Sequence, residues 1–414
     1  MRFLLDNRKN LERCGLTEAG EICQRQFTAQ ADRKDYHVAI QFIELARRID
    51  DSLDRKTCDW EYKLGECYEH LMELASDDSG LVKLSFCQEA LLHYGASSNK
   101  TRIAELEKHQ EELKQGVSFG QIAQEVDFAE VAKEADCIAT EVVFRGAEHV
   151  IQYLMVKRGL LPRYDDLLTS ATELNTQFPL QGFIPSAIID SEGNTIQHFT
   201  KSDEKRYFSV LQHFGIALDT SLFFLLRAIL FKAIREGILN TNILASFLEK
   251  NSWLGKTLRT RSGNEVQEYR WLDLILPALH EYIINMRMHF QRPEFRPNFV
   301  LPIDSLTVKI EGMLRDMCRY SGVNTTETKQ DREGRTVSVE KDLHALLYED
   351  AVTRLFDKDD LLFFRFLLVE HGGYRLRHKV AHALMRPWDY NLKAMHCLIL
   401  AVLRIGRYDF ITSQ

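Results

Sequence analysis

One short segment near the end of the chain carries the residue types needed for acid–base chemistry at a phosphodiester. It reads Arg377-His378-Lys379-Val380-Ala381-His382, an Arg-x4-His pattern. Cleaving RNA without a metal requires a group that takes or positions the 2′-hydroxyl proton, and a cation that stabilises the charge developing on phosphorus. Histidine titrates near neutral pH and serves as acid or base. Arginine offers a fixed charge and a planar fork that fits phosphate oxygens, so the segment suits this chemistry.

The spacing of these residues limits how they meet. His378 and His382 are four residues apart and share one face of a helix. Arg377 precedes His382 by five residues, about 140° around an ideal helix of 3.6 residues per turn. Regular helix therefore does not bring the arginine and this histidine together. We expect either an irregular helix start after Gly373 or completion of the pair by a second chain.

The helices that position this segment are predicted between residues 295 and 414. A helix opens at Leu301-Pro302 and runs to about Tyr320, and its Glu311 and Arg315 form an i,i+4 pair. We expect this pair to be a structural brace for the site rather than a direct participant. Residues 321–339 are polar and predict a loop, and residues 342–356 predict a helical pair or one broken helix.

Three further helix boundaries are predicted around the motif. Asp359 or Asp360 is expected to N-cap a helix that ends with Gly372-Gly373 as a left-handed C-cap. A helix from Tyr374 to about Met385 carries the motif. The last helix is predicted to start with Pro387 at its first position and to end near Arg407. Together these helices predict a compact bundle of four or five.

At this point the sequence resembles a known family. An Arg-x4-His at the start of a late helix in a helical bundle resembles the HEPN superfamily (higher eukaryotes and prokaryotes nucleotide-binding). It is most similar to a branch known only as a domain of unknown function with an Arg-Asn-x-x-x-His-Gly signature. The wider likeness spans roughly residues 295–410 and includes Leu301-Pro302, Glu311-x-x-x-Arg315, Gly322 and the polar loop at 331–334. His378 stands where this branch has Asn, and Ala383 stands where it has Gly.

The resemblance implies a metal-independent endoribonuclease with a composite site at a homodimer interface. Cleavage would leave a 2′,3′-cyclic phosphate or 3′-phosphate and a 5′-hydroxyl. Arg377 would contact the scissile phosphate, His382 would act in acid–base chemistry or 2′-hydroxyl positioning, and His378 would assist them. Arg375 and Lys379 would add a basic face that attracts the substrate. Such domains recur as effectors in toxin–antitoxin and anti-phage systems.

The rest of the chain predicts an all-α protein with one small β-hairpin insertion. Residues 1–115 predict an N-terminal, solenoid-like series of helices, which we expect to hold a regulatory protein partner. Residues 116–294 predict a middle helical region with a hairpin near 182–199, whose turn includes Gly193. Residues 260–268 are polar and predict a loop. The HEPN-like bundle forms the third region, 295–414.

Composition bounds the partners and the compartment. The formal charge of −7 excludes a nucleic-acid coat protein that is basic throughout, whereas residues 371–414 carry seven Lys or Arg against two Asp. The eight cysteines form no C-x-x-C pair and are expected to be buried free thiols. We expect no signal peptide, and the apolar stretch at 221–231, interrupted by Arg227, is read as too short to span a bilayer. A cytoplasmic protein without metal or nucleotide cofactor is predicted.

Two other interpretations stay open from the residues alone. One is a non-catalytic helical scaffold whose HEPN-like region only dimerises or binds RNA. The other is an enzyme whose site lies among the upstream helices near the hairpin at Gly182–Phe199. Neither rests on a motif as specific as the Arg377–His382 segment.

Overall fold

The computed structural model describes residues 13–76, 79–118, 127–177, 186–190, 193–263 and 265–409. Helices dominate, and the strands form small two-stranded antiparallel hairpins. The all-α prediction is confirmed. The chain divides into two compact units, one made of residues 1–124 with 187–198 and the other of residues 125–186 with 199–414.

The described residues of the first unit form a run of five helices, in which each packs on the next in sequence. They are α1 (Arg13–Asp32), α2 (Tyr36–Ser52), α3 (Trp60–Leu74), α4 (Leu81–Ala96) and α5 (Lys100–Gly116). Asp35, Asp59 and Asn99 each accept a hydrogen bond from a first-turn backbone N–H, which fixes the starts of α2, α3 and α5. The last helix is highly charged and buries only Leu106 among its side chains.

The predicted hairpin near 182–199 forms from β1 (Ser186–Ile189) and β2 (Thr195–Phe199). Its residues 182–185 lie outside the described residues. Gly193 takes a left-handed φ of 83°, and a Cβ added there would lie 3.0 Å from Leu84 Cδ2. The turn of the hairpin therefore packs against α4 of the first unit, where glycine is required by both conformation and space.

The second unit contains the remaining elements in chain order. They are α6 (Ala129–Phe144), α7 (Ala147–Val156), α8 (Tyr164–Gln177), α9 (Ser202–Ala217), α10 (Phe223–Arg235), α11 (Thr241–Asn251), β3 (Leu258–Ser262), β4 (Glu265–Tyr269), α12 (Trp271–Gln291), α13 (Val300–Tyr320), β5 (Thr326–Gln330), β6 (Thr336–Glu340), α14 (Leu343–Leu347), α15 (Asp350–Thr353), α16 (Lys358–Leu368), α17 (Leu376–Ala381) and α18 (Leu392–Gly406). A π-helical segment, Leu218–Leu222, joins α9 to α10.

One continuous hydrophobic core runs through this unit. It takes side chains from both the predicted middle region and the predicted C-terminal bundle, from Ala139 on α6 to Ile405 on α18. The helix α18 is buried almost all round, because every described residue from Ala394 to Gly406 is buried. The motif-bearing segment is thus held on a large shared core rather than on an isolated bundle.

The apolar stretch at 221–231 lies within one long helical run. The helical residues Ser202–Arg235 extend over 34 residues and, by length and composition, are the one candidate membrane span in the described part of the chain. That corrects the expectation that the stretch is too short. Phe214, Leu218 and Ile229 within it are fully buried in the core, and a core helix meets the same criteria.

Two segments predicted as loops are hairpins instead. Residues 258–269 form β3 and β4, and residues 326–340 form β5 and β6. The strands are largely exposed. Apolar residues alternate with polar ones only in β6, at Val337 and Val339, so most of the pattern that marks a half-buried strand is missing. Gly263 and Gly334 supply left-handed turn positions, and Asp331 accepts hydrogen bonds from backbone N–H groups of its own turn.

Helix boundaries before the last helix differ from the prediction. The N-cap residue of α16 is Asp357, whose side chain makes no capping hydrogen bond. Asp359 instead accepts a hydrogen bond from the Tyr164 N–H, and Asp360 is buried against Arg404, so the prediction that either caps the helix is wrong. The last helix starts at Leu392, and the Asn391 side chain caps it. Pro387 lies in the preceding turn, so its prediction as the first helical residue is wrong.

The described cysteines are free, and most are buried. The buried ones are Cys23, Cys67, Cys87, Cys318 and Cys397, whereas Cys58 is half-buried and Cys137 is exposed. Burial raises the pKa of the Cys318 thiol to about 11, which keeps it protonated and unreactive.

Candidate functional site

The backbone that leads into the motif is fixed by a close approach and a strained residue. A Cβ added at Gly373 would lie 2.1 Å from the Phe366 carbonyl oxygen, so only glycine fits there. Neither Gly372 nor Gly373 has a positive φ, and the predicted left-handed C-cap is therefore wrong. The left-handed residue is Arg375, with φ of 53°, a conformation that costs a non-glycine residue roughly 1–2 kcal/mol.

Contacts from other helices hold this strained turn in place. The Tyr374 N–H donates to the Phe366 carbonyl at 2.9 Å, and the two rings lie 5.2 Å apart. The Tyr374 hydroxyl donates to Asp219 Oδ1 at 3.2 Å, and the same oxygen contacts Lys393 Nζ at 2.8 Å. Asp219 lies in the π-helical segment, so this irregular turn anchors the residue directly before Arg375.

The motif helix is shorter than predicted. It covers Leu376–Ala381 rather than 374–385, and it ends because Ala383 takes a left-handed φ of 54°. The Leu384 N–H then donates to the Lys379 carbonyl at 2.7 Å, and the Ala383 N–H donates to the Val380 carbonyl at 3.2 Å. This is the Schellman arrangement, which favours glycine at the left-handed position.

The Arg377 guanidinium is clamped by a carboxylate from α13. Its Nε donates to Glu311 Oε2 at 2.8 Å, while Arg315 donates to Glu311 Oε1 through Nη2 at 2.7 Å and Nε at 3.1 Å. One carboxylate thus bridges two arginines, one on its own helix and one on α17. Glu311 is 15% and Arg377 is 31% exposed, so the pair lies at the edge of the protein with part of the Arg377 fork open.

The electrostatics of this clamp favour charged partners. Burial acts to raise the pKa of Glu311, but hydrogen bonds from Arg377 and Arg315 outweigh it and hold that pKa below its ordinary value. The hydrogen bond to Glu311 raises the pKa of Arg377. Arg377 is therefore a permanent cation whose position is set from α13.

The two motif histidines lie together. The His378 and His382 ring centroids are 4.6 Å apart at an interplanar angle of 49°. Burial, followed by electrostatic interactions with Arg375, His382 and Arg377, lowers the pKa of His378, so its ring favours the neutral form. His382 directly follows the helix and is exposed. The arrangement offers one accessible imidazole next to a second, neutral one.

Arg377 and His382 are not joined within one chain. No hydrogen bond connects the two side chains among the described residues; Arg377 is bound by Glu311, and the His382 ring contacts His378. The backbone irregularity falls at Arg375, before Arg377, so it leaves the helical angle between Arg377 and His382 unchanged. Of the two ways expected to complete the pair, an irregular helix start does not do so.

His371 and His344 lie close to the motif and are outside the predicted set of site residues. His371 Nδ1 is buried and has no hydrogen-bond partner among the described residues. Burial first, and then the charges of Arg375, His344 and His378, lower the pKa of His371 to about 4, so the ring is neutral at physiological pH. Burial also lowers the pKa of Arg375. His371 and His344 carry no local sequence signal, since both depend on tertiary packing.

The positive charge of residues 371–414 is not all available to a ligand. Arg404 Nε pairs with the fully buried Asp360 at 2.6 Å, and Arg407 pairs with Asp360 at 2.8 Å. Lys393 is tied to Asp219. The cations next to the histidines are therefore Arg375, Arg377 and Lys379, each of which is half-buried. They form a small and local basic surface.

Comparison with known proteins adds no relative to this description. No family model, no curated protein and no solved structure matches the chain. Within the described residues, no group of three or more His, Cys, Asp or Glu side chains is placed to hold a metal ion.

Proposed function

We propose that the protein is a metal-independent endoribonuclease of the HEPN type, with Arg377 and His382 as its principal catalytic residues. The observation that carries this proposal is the exposed His382 imidazole, 4.6 Å from the His378 ring, on the same short segment as Arg377, whose guanidinium is fixed by Glu311. These are the acid–base and phosphate-binding groups that 2′-hydroxyl attack requires.

The reaction needs only groups of this kind. His382 takes the proton of the 2′-hydroxyl, whose oxygen attacks phosphorus. The bond from phosphorus to the 5′-oxygen breaks, and this oxygen gains a proton from a second imidazole or water. The products are a 2′,3′-cyclic phosphate, which water opens to a 3′-phosphate, and a 5′-hydroxyl end. Arg377 binds the phosphate oxygens, and Arg375 and Lys379 attract the neighbouring phosphates.

A second copy of the chain is proposed to complete the site. Arg377 lies on α17 and His382 directly follows it, with no hydrogen bond between the two described side chains. A two-fold axis near α17 would bring the arginine of one copy to the histidine of the other. Apolar side chains beside the motif supply a surface for this contact. Leu384 and Trp388 are 48% and 75% exposed, and Leu301 and Val308 on α13 are 73% and 43% exposed.

Cleavage of total RNA or tRNA by the purified full-length chain in EDTA tests the proposal. The wild type is expected to give fragments that end in a 2′,3′-cyclic phosphate or 3′-phosphate, identified by mass spectrometry. Arg377→Ala and His382→Ala should abolish these fragments, whereas His280→Ala, at an exposed histidine on α12, should leave them unchanged. Intact RNA with the wild type contradicts the proposal and favours a non-catalytic scaffold that dimerises or binds RNA.

Mixed dimers test whether the site is shared between copies. Arg377→Ala and His382→Ala chains with different tags are co-expressed, and the heterodimer is purified by both tags. If arginine and histidine come from different copies, one of its two sites is intact, and about half of the wild-type activity returns. If both residues act within one chain, both sites are defective and no activity returns.

The wider role follows from the same proposal. A ribonuclease of this class is proposed to act as an effector in a toxin or anti-phage system in the cytoplasm. The helices α1–α5 would then bind the regulatory protein that keeps it inactive. Co-purification of a specific partner with residues 1–124 intact, and its loss when this unit is altered, would support that role.

A further inference from the structure

A cavity opens between the helices α6 and α10. Its volume is about 280 Å³, and none of the residues of the candidate cleavage site lines it. The two helices pack side by side, and Ala132 and Ala228 line the cavity from the two sides. Because these side chains are small, they leave the space between the helices unfilled.

The aromatic lining comes from a single stripe of α10. Phe224, Ala228, Phe231 and Arg235 line the cavity, and their spacing of four, three and four residues places them on one face of the helix. The Phe224 ring is held at 5.4 Å by Phe128. Both phenylalanines of the stripe are only half-buried, so they offer apolar ring surface to the cavity.

The Phe231 ring is fixed from behind by the core. It packs edge-on against Phe290 with centroids 5.2 Å apart and against His396 at 5.9 Å. The Arg227 guanidinium lies 5.2 Å from the Phe231 ring centroid. An arginine over a supported ring is an arrangement suited to planar aromatic ligands.

The charge of the cavity is positive. Three cations line it against one carboxylate, that of Asp136. Lys232 is engaged by Asp136 at 3.7 Å and by the Thr140 hydroxyl. Arg227 and Arg235 are exposed, and neither forms an ion pair with a carboxylate of the described residues. Two guanidinium groups therefore remain available to an anion.

We propose that this cavity binds a nucleoside phosphate, presented either free or as one nucleotide of an RNA chain. The base would lie against the phenylalanine rings, and Arg227 and Arg235 would hold the phosphate. The volume of about 280 Å³ lies near the lower end of the ligand-pocket range of about 300–1,000 Å³. That size suits a ligand as small as one nucleotide.

Calorimetric titration of the full-length chain with AMP, adenosine and inorganic phosphate tests the base and phosphate separately. Polarisation of a short labelled deoxyoligonucleotide, which lacks the 2′-hydroxyl and is not cut, tests a nucleotide within a strand. Saturable binding of AMP supports a free nucleotide, and binding of the oligonucleotide alone supports a strand. Adenosine and phosphate should each bind at least about tenfold more weakly, because each lacks half of the contacts.

Variants locate the binding. Arg227→Gln with Arg235→Gln, and separately Ala228→Leu, which fills the cavity without changing charge, should each weaken binding at least about tenfold. Arg145→Gln, at the end of α6 and outside the cavity, should bind as the wild type, with folding checked by circular dichroism. No saturable binding, equal binding of phosphate alone, or unchanged binding in the cavity variants overturns the proposal. Arg377→Ala should bind the nucleotide as the wild type does. Nucleotide binding in the cavity can therefore be disproved without disproving the cleavage site, and the reverse.

Discussion

Arg377 Nε donates to Glu311 Oε2 at 2.8 Å across 66 residues of sequence, and this contact ties the motif helix α17 to α13. The other carboxylate oxygen receives Arg315. The orientation of the motif arginine is therefore determined by a residue on a neighbouring helix, and its charge is balanced without being buried.

Removing the charge of Glu311 should lower stability in a pH-dependent way. Glu311→Gln weakens two charge-assisted contacts and is expected to cost about 2 kcal/mol at pH 7. The pKa of Glu311 is lowered in the folded state, so its contribution is fully present above the unfolded value of about 4.3 and is lost as pH falls below it. Urea unfolding of the wild type and of Glu311→Gln is measured from pH 7 to pH 3. The difference between their free energies of unfolding should shrink as the pH falls.

Glu340→Gln is the matched control for this measurement. Glu340 contacts Arg315 and Arg319 at 3.5 and 3.4 Å and is 48% exposed. Its removal should cost about 0.5 kcal/mol or less. An equal loss in the two variants would show that Glu311 is an ordinary surface ion pair.

The residue between the two catalytic positions should tolerate asparagine. His378→Asn keeps a polar group that can hydrogen-bond beside His382 and is expected to retain RNA cleavage within about threefold. His378→Ala removes this group and should reduce the cleavage rate by about tenfold, since a hydrogen bond that orients His382 is worth about 0.5–1.5 kcal/mol. Single-turnover cleavage rates check this. Equal rates in the Ala and Asn variants would assign His378 to structure alone.

Glycine at position 383 should stabilise the protein. Ala383 has φ of 54°, a conformation that costs a residue with a Cβ about 1–2 kcal/mol. Glycine avoids this cost, but the greater flexibility that it gives the unfolded chain offsets part of the gain. Ala383→Gly is expected to raise the free energy of unfolding by up to about 1 kcal/mol. Thermal melts compare it with Ala381→Gly inside α17, which should destabilise by about 0.5–1 kcal/mol. A destabilised Ala383→Gly variant would contradict the strained conformation.

The ion pair between α16 and α18 should be among the most sensitive positions in the chain. Asp360 is fully buried and accepts from Arg404 at 2.6 Å and from the Tyr408 hydroxyl at 2.6 Å. Asp360→Asn leaves Arg404 without its counter-charge, so a loss of about 3–5 kcal/mol is expected. Denaturant unfolding measures it. Asp359→Asn, at the adjacent position, is the control and should cost about 1 kcal/mol.

A buried histidine should make the second unit sensitive to acid. Burial lowers the pKa of His396 to about 3, and its Nε2 lies 2.9 Å from the Tyr282 hydroxyl oxygen. In the unfolded chain His396 binds a proton near pH 6.5, whereas in the folded chain the ring stays neutral down to about pH 3. The free energy of unfolding therefore falls as pH drops from about 6.5 towards 3. Replacing both partners, His396→Leu with Tyr282→Phe, should flatten this decline in melts between pH 7 and pH 4. An unchanged slope would assign the decline to other groups.

The helices with strong apolar periodicity could be predicted from the sequence, but several boundaries could not. Val300–Tyr320 begins where Leu301-Pro302 indicates, and residues 342–356 do form a broken helical pair. The motif helix was predicted too long, because a left-handed alanine stops it where the sequence shows no glycine. The two polar hairpins could not be predicted, because their strands are largely exposed on both faces and only the short strand β6 alternates apolar with polar residues.

The candidate site divides in the same way. The Arg-x4-His segment and the i,i+4 pair of Glu311 and Arg315 are local patterns, so the sequence alone predicts them. The bond from Glu311 to Arg377 and the electrostatic neighbourhood of His371 arise from packing between distant segments. Asp359 and Asp360 were predicted as helix caps but make tertiary contacts instead. The sequence does not separate the two roles, because a carboxylate can accept hydrogen bonds from a helix start or from a distant segment.

The hairpin strand β6 ends in Glu340, from which a row of side chains with alternating sign leads through Arg315 and Glu311 to Arg377. Reversing one sign in such a row leaves like charges adjacent, and exchanging two neighbouring signs leaves like charges at the boundary of the exchanged pair. Only the reversal of all four signs restores the alternation. Charge reversals in this row should therefore be rejected both singly and as exchanged pairs, whereas neutralising its exposed end, Glu340, should cost little. The sign of each charge is thus held by its neighbours.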